Sequence, residues 1–194
     1  YNCTATNITI SNCALSTSYA AFFVSGGTWT FSGNTIQNCS GGMALRMDAL
    51  ASGTTYDIDA SFTLSGTNNF AYGIYCYSGE PTISNATIFL ANTGINSGTY
   101  AGAIYLTVFT GTIQDTTIDM TGRANRHGIY APQNRYHGLT INNVIITGVT
   151  GSAYPLYLAT YNNGNYNCTA TNITISNCAL STSYAAFFVS GGTW

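Results

Sequence analysis

Residues 1–29, YNCTATNITISNCALSTSYAAFFVSGGTW, return letter for letter as residues 166–194. The offset is 165 residues. A fixed internal period is the first thing to constrain a fold, because repeat architectures are the ones that produce it. It divides the chain into one full unit, residues 1–165, and the start of an identical second unit, residues 166–194. The expectation is a window onto a continuous array, with a single recent duplication inside a finite protein as the alternative.

Thr-apolar dipeptides mark a shorter period within the long one. They stand at Thr4-Ala5, Thr30-Phe31, Thr63-Leu64, Thr82-Ile83, Thr112-Ile113, Thr140-Ile141 and Thr169-Ala170, at gaps of 26, 33, 19, 30, 28 and 29 residues. Three residues after each Thr comes Asn7, Gly33, Gly66, Asn85, Asp115, Asn143 or Asn172. These residue types tolerate a left-handed backbone, so the position reads as a bend. Six residues after each Thr comes Ile10, Ile36, Asn69, Ile88, Ile118, Ile146 or Ile175, and only Asn69 interrupts the apolar column. A third column runs AFFV (21–24), ALRM (44–47), GIYC (73–76), AIYL (103–106), GIYA (128–131), PLYL (155–158) and AFFV (186–189).

Short β-branched runs bounded by Gly, Asn and Ser are strands, and no segment has the ten or more periodic residues of a helix. The fold expected is all-β, a parallel β-helix (β-solenoid) of about six rungs per 165 residues. Such a rung buries its apolar residues only against the rungs above and below it. Strand alternation points Ile74, Ile104, Ile129 and Leu156 inward, with Cys76, Leu106 and Leu158, and points Phe23, Tyr75, Tyr105, Tyr130 and Tyr157 outward. Rungs about 4.8 Å apart advance the axis by roughly 29 Å per unit. They stack Ile in the core, Thr hydroxyls outside and Asn at the bend.

The pattern T-I-x-N … G-I-Y-L, as in Thr82-Ile83-Ser84-Asn85 followed by Gly102-Ala103-Ile104-Tyr105-Leu106, resembles the right-handed parallel β-helix proteins of the pectin-lyase-like superfamily. It is most similar to their carbohydrate-associated cell-surface repeat members. The likeness extends over the whole chain at the level of rungs. It implies a right-handed coil and an extracellular, carbohydrate-associated setting, but a fold does not carry an activity by itself.

Composition removes several classes of function. The chain holds four Arg, no Lys and six acids, so charged residues make up 5 %. Four cations cannot form a phosphate-neutralising surface, so no nucleic-acid partner is expected. No run of about 18 apolar residues offers a membrane span. No P-loop, GxSxG, HExxH or zinc-spaced Cys/His set appears, so no cofactor, metal or catalytic site is expected. Enzymes of the resembled superfamily cleave polysaccharides with acids, so the acids need inspection. Asp57 and Asp59 fall in a long loop with Glu80 one rung on, and Asp115 sits at a bend, where it caps the turn. Asp119, Arg123, Arg126 and His127, with Arg135 and His137, form the densest polar cluster. It reads as a solvated ion-pair patch, with contact to an anion or uronic acid as the alternative and a lyase or hydrolase centre on Asp119, Arg123 and Arg126 as the remotest.

Cys13 and Cys39 hold the same place in TISNC (9–13) and TIQNC (35–39). Stacked positions at the rung spacing lie within the Cα reach of a disulfide, so a Cys13–Cys39 bridge is expected, against two buried thiols in a column. Cys3 and Cys76 are several rungs apart and should not pair. A bridge places the chain in an oxidising, extracellular compartment. Sequons agree with that setting: Asn2, Asn7, Asn38 and Asn85 each begin N-x-[ST], and the first two recur at Asn167 and Asn172. Asn2, Asn38 and Asn167, nearer strand ends, are the better glycan acceptors, because bend-column Asn7, Asn85 and Asn172 suit an inward amide ladder. Phe23, Arg46, Tyr75, Tyr105, Tyr130 and Tyr157 form an outward stripe suited to sugar rings or a neighbouring filament, unless it reflects only the β-propensity of Tyr.

The function expected is structural: an extracellular or cell-surface β-helical filament (surface fibre, matrix strand or adhesin stalk) of identical units stacked end to end, glycosylated and without catalysis. Its rivals are a carbohydrate-binding module using the Tyr stripe and, less favoured, a polysaccharide lyase or hydrolase.

Overall fold

The computed structural model describes residues 2–16, 18–25, 28–48, 58–65, 69–77, 81–90, 101–107, 110–132, 138–159 and 167–191. Among them every regular element is a strand. One sheet holds Asn2–Thr6, Thr9–Ser11, Thr28–Gln37, Ile58–Ser65, Thr82–Ser84, Thr87–Phe89, Thr110–Asp119, Gly138–Thr147 and Thr169–Ser176. A second, seven-stranded sheet stacks Ala20–Ser25, Ser40–Asp48, Asn69–Cys76, Gly102–Leu106, His127–Ala131, Leu156–Ala159 and Phe187–Ser190 in chain order. All pairings are parallel, so the chain coils as a parallel β-solenoid. A small ladder joins Thr150–Gly151 to Ala179–Leu180.

The core lies between the sheets and is built of columns. Ile36, Ile83, Ile88, Ile113, Ile118, Ile141 and Ile146 are buried on one side, and Leu45, Ile74, Ile104, Ile129 and Leu156 on the other. Cys76, Leu106 and Leu158 are buried too, as the alternation predicts. Each such aliphatic side chain contributes roughly 1.5–3 kcal/mol on leaving water. The threonines at Thr4, Thr30, Thr140 and Thr169 face solvent.

The predicted bends are left-handed: Asn7, Gly33, Asn85, Asp115, Asn143 and Asn172 have φ of 54°, 64°, 51°, 49°, 52° and 54°. A second left-handed column, not anticipated, follows at Asn12, Asn38 and Asn177, each just before a Cys. The bend-column side chains do not turn inward as expected. Asn7, Asn85 and Asn172 are exposed, and the side-chain bonds seen along this edge are on the outside, with Asn143 Nδ2 donating to Asp115 Oδ1 at 2.6 Å and Asn172 Nδ2 to Asn142 Oδ1 at 3.2 Å. The inward amide is Asn34, one residue past a bend. Its Nδ2 donates to the Ala5 carbonyl at 2.8 Å, and its Oδ1 accepts from Ile8 N at 2.9 Å.

One segment of the expected register is corrected. Thr30 pairs with Asp59, not with the Thr63 position, and Thr63 pairs with Thr35 and Thr87. The strand Ile58–Ser65 thus has five residues from Asp59 to Thr63, where its neighbour has six from Thr30 to Thr35, and the register shifts between Phe31 and Asn34. Leu64, not Asn69, continues the column between Ile36 and Ile88, so that column is aliphatic throughout. Gly66, the expected bend, lies outside the described residues.

The described residues of the second copy, 167–191, re-enter the architecture where those of the first copy began it. Asn7 and Asn172 share one φ of 54°. Thr4 heads the column that passes through Thr30, Asp59, Thr82, Thr112 and Thr140 to Thr169, its own copy. Val24 and Val189 are copies of one residue, yet Val24 is 1 % exposed beneath the Ser40–Asp48 strand and Val189 is 37 % exposed.

Candidate interaction surface

The outer face of the second sheet carries one continuous column. Register pairs link Phe23 to Arg46, Arg46 to Tyr75, Tyr75 to Tyr105, Tyr105 to Tyr130, Tyr130 to Tyr157 and Tyr157 to Phe188. Phe188 is the copy of Phe23. Because strands stack about 4.8 Å apart, the rings meet face to face. Tyr75 and Tyr105 lie 5.0 Å apart and 2° from parallel, Tyr130 and Tyr157 4.6 Å and 28°, and Tyr157 and Phe188 4.6 Å and 5°. Tyr105 and Tyr130 are looser, at 5.8 Å and 31°.

Arg46 joins the column through charge. Its guanidinium sits 5.5 Å from the Phe23 ring centroid, and its Nε and Nη2 reach Asp48 Oδ2 at 2.9 Å and 2.6 Å. The Asp48 carboxylate holds the Arg46 pKa above its usual range.

Tyr130 differs from its expected outward position in being buried, at 5 % exposure. Its ring is covered by Tyr157 and by His127, 4.2 Å away. Alternation gives the direction of a side chain, and neighbouring rings decide whether water reaches it. Tyr75, Tyr105 and Tyr157 are half-buried and Phe23 is exposed.

A flanking aromatic row was not anticipated. Tyr72 packs on Tyr75 and Tyr105 at 5.1 Å and 5.4 Å, and Tyr154 packs on His127, Tyr157 and Tyr184. His127 Nδ1 accepts from Tyr154 N at 3.0 Å, which fixes the imidazole in the row. An aromatic residue three places before each of Tyr75, Tyr130 and Tyr157 was the signal in the sequence. Burial raises the pKa of Tyr72 and of Tyr75.

The ring faces are thereby occupied by one another. Bound sugars stack on a free face, and along the Tyr75–Phe188 run the surface presents ring edges and hydroxyl groups. Among the described residues the exposed rings are Tyr19, Phe23, Tyr77 and Phe187.

The polar cluster expected at a solvated rim is instead buried. Arg123, Arg126 and His127 are all 9 % exposed or less. In the link from Asp119 to His127 these residues are buried while Thr121, Gly122, Ala124 and Asn125 are exposed; Arg123 N donates to the Met120 carbonyl, and Arg126 Nη1 to the Asn125 carbonyl. Burial, with the charge of Arg126 added, lowers the Arg123 pKa to about 10, and burial lowers that of Arg126. Asp119 Oδ1 accepts from Thr121 N at 2.9 Å and so caps this turn. Asp57, Glu80, Arg135 and His137 lie outside the described residues, as does the side chain of Asp59.

The expected Cys13–Cys39 bridge is not formed. The two are aligned in neighbouring rungs, with Cys13 N donating to Cys39 Sγ at 3.4 Å, but both stand as thiols. Parallel in-register strands keep equivalent Cβ atoms near the rung spacing of about 4.8 Å, beyond the roughly 3.5–4.5 Å that a disulfide spans. Of the sequon residues, Asn7, Asn38, Asn85, Asn167 and Asn172 are exposed. Asn2 lies in the strand Asn2–Thr6, and its side chain is outside the described residues.

Compared with known proteins, the chain matches no family model, no curated protein and no solved structure.

Proposed function

We propose that this chain is a structural segment of an extracellular β-helical filament, a right-handed rod whose repeating unit is 165 residues in six rungs, joined end to end with identical units. The observation that carries this reading is the re-entry of the repeat: Phe188 closes on Tyr157 the column that Phe23 opens, one sequence period later. A unit that returns to its own column can be followed by the next without a change of cross-section.

The role is mechanical rather than catalytic. Asp119 is engaged in a turn, Arg123 and Arg126 are buried in their own loop, and the described acids do not converge in the paired arrangement that glycoside hydrolysis needs. Glycans on the exposed Asn7, Asn38, Asn85, Asn167 and Asn172 keep a rod with 5 % charged residues soluble, and they fit an extracellular or cell-surface setting. Carbohydrate recognition by the Tyr stripe is the less favoured reading, because the rings spend their faces on each other.

Electron cryomicroscopy of the native material tests the proposal. The expected image is a uniform rod with a rung spacing of about 4.8 Å and an axial repeat of roughly 29 Å. Discrete particles without that repeat would overturn it.

A further inference from the structure

We propose that Tyr75 and Tyr105 form an oxidative cross-linking site, at which a dityrosine bond staples two neighbouring strands of the aromatic column. The inference goes beyond the filament reading and does not depend on it. Tyr75 and Tyr105 are register partners on adjacent parallel strands. Their rings lie 5.0 Å apart and 2° from parallel, which sets the ortho carbons of one phenol beside those of the next. Both side chains are half-buried, so oxidant and water reach the hydroxyl edge while packing holds the stack.

The other contacts of the column are less suited to the bond. Tyr105 and Tyr130 are further apart and tilted by 31°, and Tyr130 is buried. Tyr130 and Tyr157 are close, but the Tyr130 ring is also held by His127. Tyr157 and Phe188 are nearly parallel, but Phe has no phenol to oxidise. Arg46 ends the tyrosine run on the other side. Tyr75 and Tyr77 are also near parallel, at 7°, but their centroids are 6.5 Å apart. Among the described tyrosines of the column, Tyr75 and Tyr105 are thus the pair that best joins close, parallel rings to solvent access.

The step needs hydrogen peroxide and a haem peroxidase. Each phenol gives up one electron and its Oη proton to become a phenoxyl radical, with spin on the Cε carbons. The two Cε atoms share those unpaired electrons in a new carbon–carbon bond, and each displaced Cε proton returns to its oxygen as the rings regain aromaticity. In sum two phenols lose two electrons and two protons, and peroxide takes them up as two molecules of water.

The test treats the full 194-residue chain with peroxidase and peroxide, then maps cross-linked peptides by mass spectrometry. The expected product is a within-chain pair two hydrogens lighter than its parts, joining the peptides that contain Tyr75 and Tyr105. Tyr105→Phe keeps the ring in the stack and should remove that product entirely, whereas Tyr157→Phe should leave it. The same treatment in denaturant should lose the preference and scatter the bond over the 15 tyrosines. The proposal is overturned if folded chain yields no Tyr75–Tyr105 product, or if its cross-links run only through the more exposed Tyr19 and Tyr77.

Discussion

Asn7 holds its carboxamide oxygen 2.6 Å from the point that a Cβ on Gly33 would occupy. The two residues stand at the same bend of neighbouring rungs, both left-handed, and Gly33 has no side chain because that of Asn7 fills the space.

Gly33→Ala should therefore lose stability for two reasons. A left-handed non-glycine residue costs about 1–2 kcal/mol, and displacement of Asn7 adds to it. Chemical denaturation of the variant beside the parent chain checks this. A midpoint unchanged by the substitution would contradict the packing described.

Asn34 serves two backbone groups of the rung before it. Asn34→Ala removes the buried bond to the Ala5 carbonyl and the part-buried bond from Ile8 N. A loss of about 2 kcal/mol is expected. Amide hydrogen exchange should locate it, with faster exchange at Ile8 and little change at Ile146.

The copies Val24 and Val189 provide a controlled pair, because the same residue is 1 % exposed at one position and 37 % exposed at the other. Val24→Ala should cost about 1–3 kcal/mol through lost burial. Val189→Ala should cost under about 1 kcal/mol. Equal losses would contradict this difference in burial.

Alkaline pH acts on the aromatic face and the buried arginines in opposite directions. Tyr72 and Tyr75 have phenol pKa values raised by burial. Their protonated forms favour the fold fully below the ordinary value of about 10, and that contribution is lost as pH rises above it, since the unfolded chain releases its protons first. Arg123, lowered to about 10 from the ordinary arginine value, does the reverse: between the two values the unfolded chain holds the extra proton, so stability rises with pH. Tyr75→Phe should flatten the alkaline loss and Arg123→Met should steepen it. Denaturation midpoints measured across that range would show the two opposite slopes.

The columns were legible because stacking forces like residues into one place each turn. Ile, Asn or Gly, and Tyr recur at fixed offsets, and the sequence shows them directly. The strand Ile58–Ser65 was misread for a physical reason. A Thr-apolar dipeptide opens both halves of a rung, as Thr30-Phe31 and Thr35-Ile36 show, so the dipeptide alone lets Thr63 slip by half a rung. The left-handed residue that marks the other rungs between the two halves is absent between Asp59 and Thr63. The burial of Tyr130, Arg123 and Arg126 was not legible, because it depends on which rings and loops lie over them rather than on strand alternation.

The inter-strand hydrogen bonds lie along the solenoid axis, and this fixes how the protein answers a pull. Tension on that axis falls on all the bonds of one coil together, so rupture needs a whole coil to give way at once. A coil that does give way frees on the order of 90 Å of extended chain. The material would lengthen in discrete steps and dissipate work before any peptide bond is strained.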